Sequence, residues 1–184
     1  ARRHIPLVMV STGAIFSGSI DSIFDEDAIP EPLNCYAQTK YLGELVAMAS
    51  CPQALIIRTG WLFGTGKSYF DLFFEKARKG EPLEASNDQR GSPTYIKDFL
   101  LALRTLLTDR ATGVFHIVNE GASTAWDVAR AVLDLTLSQS TLKASGYRSF
   151  VPAGIRRSPS EAMTSNKISL CHWMDALAKA NEDN

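Results

Sequence analysis

The sequence predicts an α/β protein built on a parallel sheet, and three observations carry that expectation. Apolar runs at residues 5–10, 54–57 and 114–118 are rich in branched side chains and lack a polar alternation, which suits strands buried on both faces. Between them lie stretches whose apolar residues recur at helical spacing. Polar groups follow directly on the first two runs, as Ser11-Thr12 and as Arg58-Thr59-Gly60-Trp61, and the carboxyl ends of strands are where open α/β sheets hold their ligands.

The first run is broken only by Pro6, and Ser11 and Thr12 at its end either face a ligand or satisfy loop backbone groups. Residues 13–33 read as loop, punctuated by Gly13, Gly18, Pro30 and Pro32. Their acidic trio Asp25-Glu26-Asp27 is expected on a solvated face, because three adjacent carboxylates cannot all point at one cation. Asn34 is a predicted N-cap for a helix to about Ser50, with Leu42, Leu45, Val46 and Ala49 as its apolar stripe. Tyr36 and Lys40 sit four apart on that helix and leave the same face. A phenol held beside a fixed positive charge ionises more easily, which makes it a usable proton donor and acceptor.

After the second run, Trp61 is either core or the wall of a pocket. Gly64-Thr65-Gly66-Lys67-Ser68 lacks the spacing of a phosphate loop, since Trp61 stands where the first glycine belongs, and is expected to be a turn. The spacing of Phe70, Phe73, Phe74 and Ala77 predicts a core-facing helix over 69–79, closed by Gly80 and Pro82. The polar stretch 87–94 is either an exposed connection or a binding loop. A second amphipathic helix is expected over 96–107 with Phe99, Leu100, Leu103 and Leu107 on one side, then a strand containing His116, then a helix over 125–137 capped by Ser123. His116 reads as a structural residue. Beyond Ser138 the chain reads as polar and irregular up to a last helix at 169–179; within it Arg156 and Arg157 form either a phosphate clamp or solvated surface.

Composition narrows the function. At 184 residues and 45% hydrophobic the chain suffices for a sizeable core. A net charge of −1 with interspersed signs offers no basic field, so neither nucleic acid nor a membrane surface is an expected partner. Cys35, Cys51 and Cys171 are an odd set without metal-ligand spacing, so no metal site is expected and the thiols read as reduced. With no ~20-residue apolar span and no secretory leader in view, a cytoplasmic location is expected.

Five stretches, in order, carry a resemblance: residues 10–18, residues 32–40 with Gly43-Glu44, residues 57–64, residues 87–95 with Asp88-Gln89-Arg90-Gly91-Ser92-Pro93-Thr94, and residues 113–119. Together they resemble the dTDP-4-dehydrorhamnose reductase family of extended short-chain dehydrogenases/reductases. The resemblance implies part of a Rossmann-like doubly wound parallel sheet, without the N-terminal strands and Gly-rich turn, plus a small C-terminal substrate-binding region. Residues 1–64 would be the C-terminal part of the Rossmann-like domain with the Tyr-x-x-x-Lys helix. Residues 65–184 would supply substrate-binding loops and the remaining sheet and helices.

The implied chemistry is reduction of the 4-keto group of a nucleotide-linked deoxysugar by NADPH or NADH, in dTDP-rhamnose biosynthesis. Tyr36 would be the proton donor, Lys40 would hold the nicotinamide ribose, and Thr12 would hydrogen-bond the carbonyl oxygen. Ser11, Thr59 and Gly60 would join Tyr36 and Lys40 around the cofactor. Phe16, Trp61, Gln89, Arg90 and Arg156 would face the substrate. The family's Ser-Thr-Asp-Tyr-Val-Phe-Asp-Gly is altered here at Gly13, Ala14 and Ser17. With no Gly-x-x-Gly-x-x-Gly turn in the chain, the resemblance implies an N-terminal half supplied elsewhere, or a homodimer partner. The alternative is a non-catalytic interaction subunit, as the regulatory subunit of methionine adenosyltransferase resembles the same family.

Overall fold

The computed structural model describes residues 5–183. In chain order, β1 (Val8–Thr12) leads through a 3-10 turn at Gly13–Ile15 to α1 (Cys35–Ser50), β2 (Leu55–Thr59), β3 (Trp61–Phe63) and α2 (Tyr69–Lys79). There follow β4 (Leu83–Ser86), β5 (Arg90–Gly91), β6 (Pro93–Tyr95), α3 (Ile96–Thr108) and β7 (Gly113–His116). The chain ends with β8 (Ser123–Thr124), α4 (Ala125–Thr136), β9 (Leu142–Ser145), a 3-10 turn at Tyr147–Ser149 and α5 (Trp173–Glu182).

The three apolar runs form one parallel sheet in the order β1-β2-β7, as expected. β2 is central, pairs on both sides and is buried throughout. β1 differs from expectation in two ways. It starts at Val8, so Ser11 and Thr12 are its last residues instead of following it. Among the described residues it also pairs with β2 alone, and Val10 stands 43% exposed. A run apolar enough for a strand interior lies here at a sheet edge that no described element covers.

α1 shows a larger correction. Asn34 caps it as predicted, its Oδ1 accepting from the Ala37 amide at 3.0 Å. The predicted stripe of Leu42, Leu45, Val46 and Ala49 faces outward, with Val46 63% exposed, while Ala37, Glu44 and Ala47 are the buried residues. A fully buried glutamate decides the helix's orientation because Arg58 on β2 waits to pair with it. In α3 the buried residues are Phe99, Ala102 and Leu106, so the face is turned from the predicted one and Leu100 and Leu107 are exposed.

The largest core cluster joins α2, α4 and α5 over β4 and includes Phe63, Phe70, Phe73, Phe74, Val128, Val132 and Leu177. α2 has the predicted limits, begins with a Ser68–Asp71 capping box and ends at Gly80 with φ 70°, which glycine adopts without strain. α4 is capped by Thr124 with Asp127 instead of by Ser123, which pairs in β8 with Gly91. Two regions read as irregular hold short strands: β5 and β6 lie within the polar loop, and β9 pairs in parallel with β4. Two- to four-residue strands leave too little periodicity for sequence reading.

Within the acidic trio Glu26 is a tie point. It accepts from the His116 amide at 3.0 Å, from the Ser165 hydroxyl and from the Asn166 amide at 2.9 Å. Burial works against its ionisation, but these hydrogen bonds outweigh it and hold its pKa below the ordinary value. Glu161 shows the reverse balance: it is buried, accepts from Gln89 Nε2 at 3.3 Å, and burial pushes its pKa up against the pull of Arg157.

Two outcomes follow for stability. Phe63, fully buried between Tyr95 and Phe70, should cost about 3–5 kcal/mol when changed to Ala, measured by denaturant unfolding. Glu161 ionises with more difficulty folded than unfolded, so its charge opposes folding increasingly as pH rises above 4.5, the ordinary glutamate value. Glu161→Gln keeps the acceptor and removes the charge. It should raise the melting temperature by a few degrees at pH 8 and leave it unchanged near pH 4, and an equal effect at both pH values would contradict this account.

Candidate functional site

The end of β1 and the first turns of α1 converge because Lys40 reaches across and donates from Nζ to the Val10 carbonyl at 2.5 Å. An ammonium has three donors, so two remain for a ligand. Thr12, at the last position of β1, accepts from the Ala14 amide at 3.2 Å, and its hydroxyl proton stays available to a ligand oxygen. Tyr36, in the first turn of α1, is 58% exposed. Ser11 is buried and its hydroxyl has no hydrogen-bond partner among the described residues, a state that costs a buried polar group unless something else completes it.

The start of α1 is tied to the C-terminal tail. Asn34 uses its carbonyl to cap the helix and its amide to donate to the Arg156 carbonyl at 2.9 Å. Tyr36 and Arg157 thus lie two and one residues from the two ends of a single hydrogen bond. Arg157 lines a cleft of about 330 Å³, a size suited to a small molecule. Its other walls are Trp61, Tyr69, Phe70, Gln89, Tyr147 and Phe150, with Ser86 among the polar contributors.

Close backbone approach builds this cleft. The Trp61 amide donates to the Ser92 carbonyl at 2.9 Å, and a Cβ on Gly60 would lie 2.2 Å from that same oxygen. Gly91 lies against the indole of Trp61, where a Cβ would come within 2.4 Å of the ring. Trp61 also meets the edge of Phe70, with ring centroids 5.7 Å apart. The loop 87–94 therefore packs on Trp61 and is a wall of the cleft, not an exposed connection.

Several residues singled out from the sequence have other roles. Phe16 is fully buried, stacked on Phe24 at 4.7 Å and lying under the Arg58 guanidinium at 5.3 Å, so it offers no surface to a substrate. Arg90 points away from the cleft, donating to the Ile20 and Ala122 carbonyls and pairing with Asp21 at 3.7 Å. Thr59 is buried and gives its proton to the Ile117 carbonyl at 2.8 Å. Gly60 serves the backbone contact with Ser92. Arg156 contributes a carbonyl to α1 while Arg157 lines the cleft. Gln89 does line it, anchored by donation to the Ser158 carbonyl at 3.2 Å.

Sequence reading missed Tyr69, Tyr147 and Phe150 as cleft residues. Tyr69 adjoins the core stripe of α2, and the other two fall in the stretch read as irregular. Tyr147 is held by its amide donating to Asp88 Oδ1 at 2.7 Å. Burial, with Glu84 nearby, pushes the Tyr69 phenol up, so it is a neutral wall of the cleft. Among the described residues no cluster of His, Cys, Asp and Glu is arranged to hold a metal ion, and no helix is long and apolar enough to cross a membrane.

Comparison with known proteins bears on the family and the fold. Residues 1–183 match the RmlD substrate binding domain family. A probable dTDP-4,6-dihydroxy-2-methyloxan-3-one 4-ketoreductase of Streptomyces antibioticus is 36% identical over 73% of this chain and 46% of its own length. The dTDP-4-dehydrorhamnose reductase of Mycobacterium tuberculosis is 31% identical over 98% of this chain and 64% of its own. The chain thus spans from about half to about two thirds of the length of these relatives. In fold, it matches the dTDP-4-dehydrorhamnose reductase of Bacillus anthracis, solved in complex with NADP, with a TM-score of 0.87 over 97% of this chain and 66% of that one, at 24% identity. The chain belongs to the RmlD substrate binding domain family.

Proposed function

We propose that this chain is the substrate-binding and proton-donating part of a reductase that acts on the 4-keto group of a nucleotide-linked deoxysugar. The observation that carries the reading is the hydrogen bond between Asn34 and Arg156, which joins the start of the Tyr36–Lys40 helix to the segment lining an aromatic cleft. The cleft's chemistry suits a nucleotide sugar. Trp61, Tyr69, Phe70, Tyr147 and Phe150 give flat apolar surface for a base and sugar, and Arg157 can pair with phosphate in two-pronged fashion.

In this reading Tyr36 gives its proton to the carbonyl oxygen and Thr12 donates a hydrogen bond to the same oxygen, stabilising the charge that develops there. Lys40 holds a ribose hydroxyl with the donors that Val10 leaves free. NADPH or NADH, when bound, supplies the hydride. The residues present fit the nicotinamide-ribose end of such a cofactor: the Ser11 hydroxyl, unpartnered among the described residues, and the Lys40 ammonium lie at the carboxyl end of β1. Nothing in the chain has the glycine pattern that would cradle its pyrophosphate.

A cofactor-binding half is accordingly proposed to pack on β1 and α1. The unpaired edge of β1 and the outward Leu42, Leu45 and Val46 support that placement, as does the greater length of the relatives. The same uncovered face would serve the interaction-subunit reading. Thr12, Tyr36 and Lys40 together favour the enzyme.

The test is a reductase assay of this chain joined to its cofactor-binding half. Tyr36→Phe should lower kcat by about 10²–10⁴-fold with a parental melting temperature, since the exposed phenol contributes little to the core. Arg157→Ala should chiefly raise KM for the sugar nucleotide. Turnover by Tyr36→Phe at the parent rate would remove the proton donor from this account.

A further inference from the structure

The buried ion pair between Glu44 and Arg58 is, we infer, the positioning device that sets α1, and with it Tyr36 and Lys40, against the end of the sheet. The inference rests on the reductase reading above. Tyr36, Lys40 and Glu44 follow one another at four-residue steps, so Glu44 lies one turn beyond Lys40 on neighbouring faces of one helix. Its carboxylate accepts from Arg58 Nη2 at 2.8 Å and from Nε at 3.2 Å to each oxygen. Glu44 is 0% exposed and Arg58 4%.

Arg58 is a fixed anchor. It stands on the central strand in register with Ser11 on one side and His116 on the other, one row below Thr12 and Thr59. Its Nη1 lies 3.5 Å from His116 Nε2, and His116 Nδ1 meets the Thr164 carbonyl at 2.8 Å. The ring of Phe16 lies against the guanidinium. Whatever holds Glu44 to Arg58 therefore fixes the helix relative to the row that carries Thr12.

The other polar ties of α1, from Lys40 to the Val10 carbonyl and from Asn34 to the Arg156 carbonyl, lie at exposed positions. The other buried residues of the helix are Ala37 and Ala47, and Gly43 faces the end of the Met9 side chain, where a Cβ would lie 2.6 Å from Cε. Beside them Tyr41 and Met48 are only partly buried against the core, and Leu42, Leu45 and Val46 point outward, so Glu44 is the one large side chain of α1 that is fully buried. A shift along the axis would have to break the buried ion pair. It would also carry Tyr36 and Lys40 away from Thr12, and a displacement of about 1 Å at a reacting centre can cost ~10²-fold in rate. Stability alone does not account for the pair, because apolar replacements of a buried ion pair are often as stable.

The double variant Glu44→Met/Arg58→Met in the reductase joined to its cofactor-binding half separates positioning from folding. Expected are a melting temperature near the parent's, a KM for the sugar nucleotide within about threefold, and a kcat lower by roughly 10²-fold. Arg58→Lys, which keeps the charge but loses the two-pronged contact, should also lower kcat at unchanged KM, and it decides the matter if the double variant does not fold. A folded variant with the parent's kcat, or a kcat loss that merely tracks a fall in melting temperature, overturns the inference and leaves the reductase reading standing. An inactive parent overturns both.

Discussion

A guanidinium almost closed off from water has to be compensated on every side, and Arg58 is compensated by elements from three other parts of the chain. Glu44 of α1 takes two of its nitrogens, His116 of β7 faces the third, and Phe16 from the turn after β1 lies beneath it. Burial favours the neutral form of His116, lowering its pKa, and the neutral ring leaves a lone pair for the arginine once its other nitrogen donates to Thr164. Removing Glu44 would strand a buried charge, so α1 and the central strand hold one another in place. The strand that carries Arg58 continues through Thr59 and Gly60 into Trp61. The centre of the fold and the wall of the cleft are thereby set by one extended segment.

The sequence made legible whatever is written in long, strongly patterned elements. The three parallel strands, α2 with its phenylalanine stripe, and the Asn34 cap were all readable because burial imposes a pattern over several residues. Reading failed where a long-range partner overrides local pattern. α1 has a good apolar stripe, yet it buries Glu44 because Arg58 lies on the adjacent strand, and no property of residues 35–50 announces that. β9 was missed for a related reason, since four residues of mixed polarity gain their strand only by pairing with β4.

For the candidate site the same division holds. Thr12, Tyr36, Lys40, Trp61 and Gln89 were singled out from motifs and occur at the end of β1, on α1 and along the cleft. Arg90 and Phe16 sit within the same motifs but serve the scaffold, one tying three loops and the other filling the core beside Arg58. A motif marks a neighbourhood, and the direction each side chain takes within it depends on packing. The choice of Arg157 over Arg156 is the plainest case: Arg157 lines the cleft while the Arg156 carbonyl accepts from Asn34, and residue type alone does not separate two adjacent arginines in an irregular segment.

The central claim is that the aromatic cleft receives the nucleotide end of a sugar-nucleotide substrate. Its most direct test is titration of the ¹⁵N-labelled chain with dTDP, followed through the Trp61 indole N–H and the amides of Tyr147, Phe150 and Arg157. The account predicts saturable shifts concentrated at these residues and weakened affinity in Arg157→Ala. Shifts confined to other surfaces, or binding unchanged by Arg157→Ala, would contradict it.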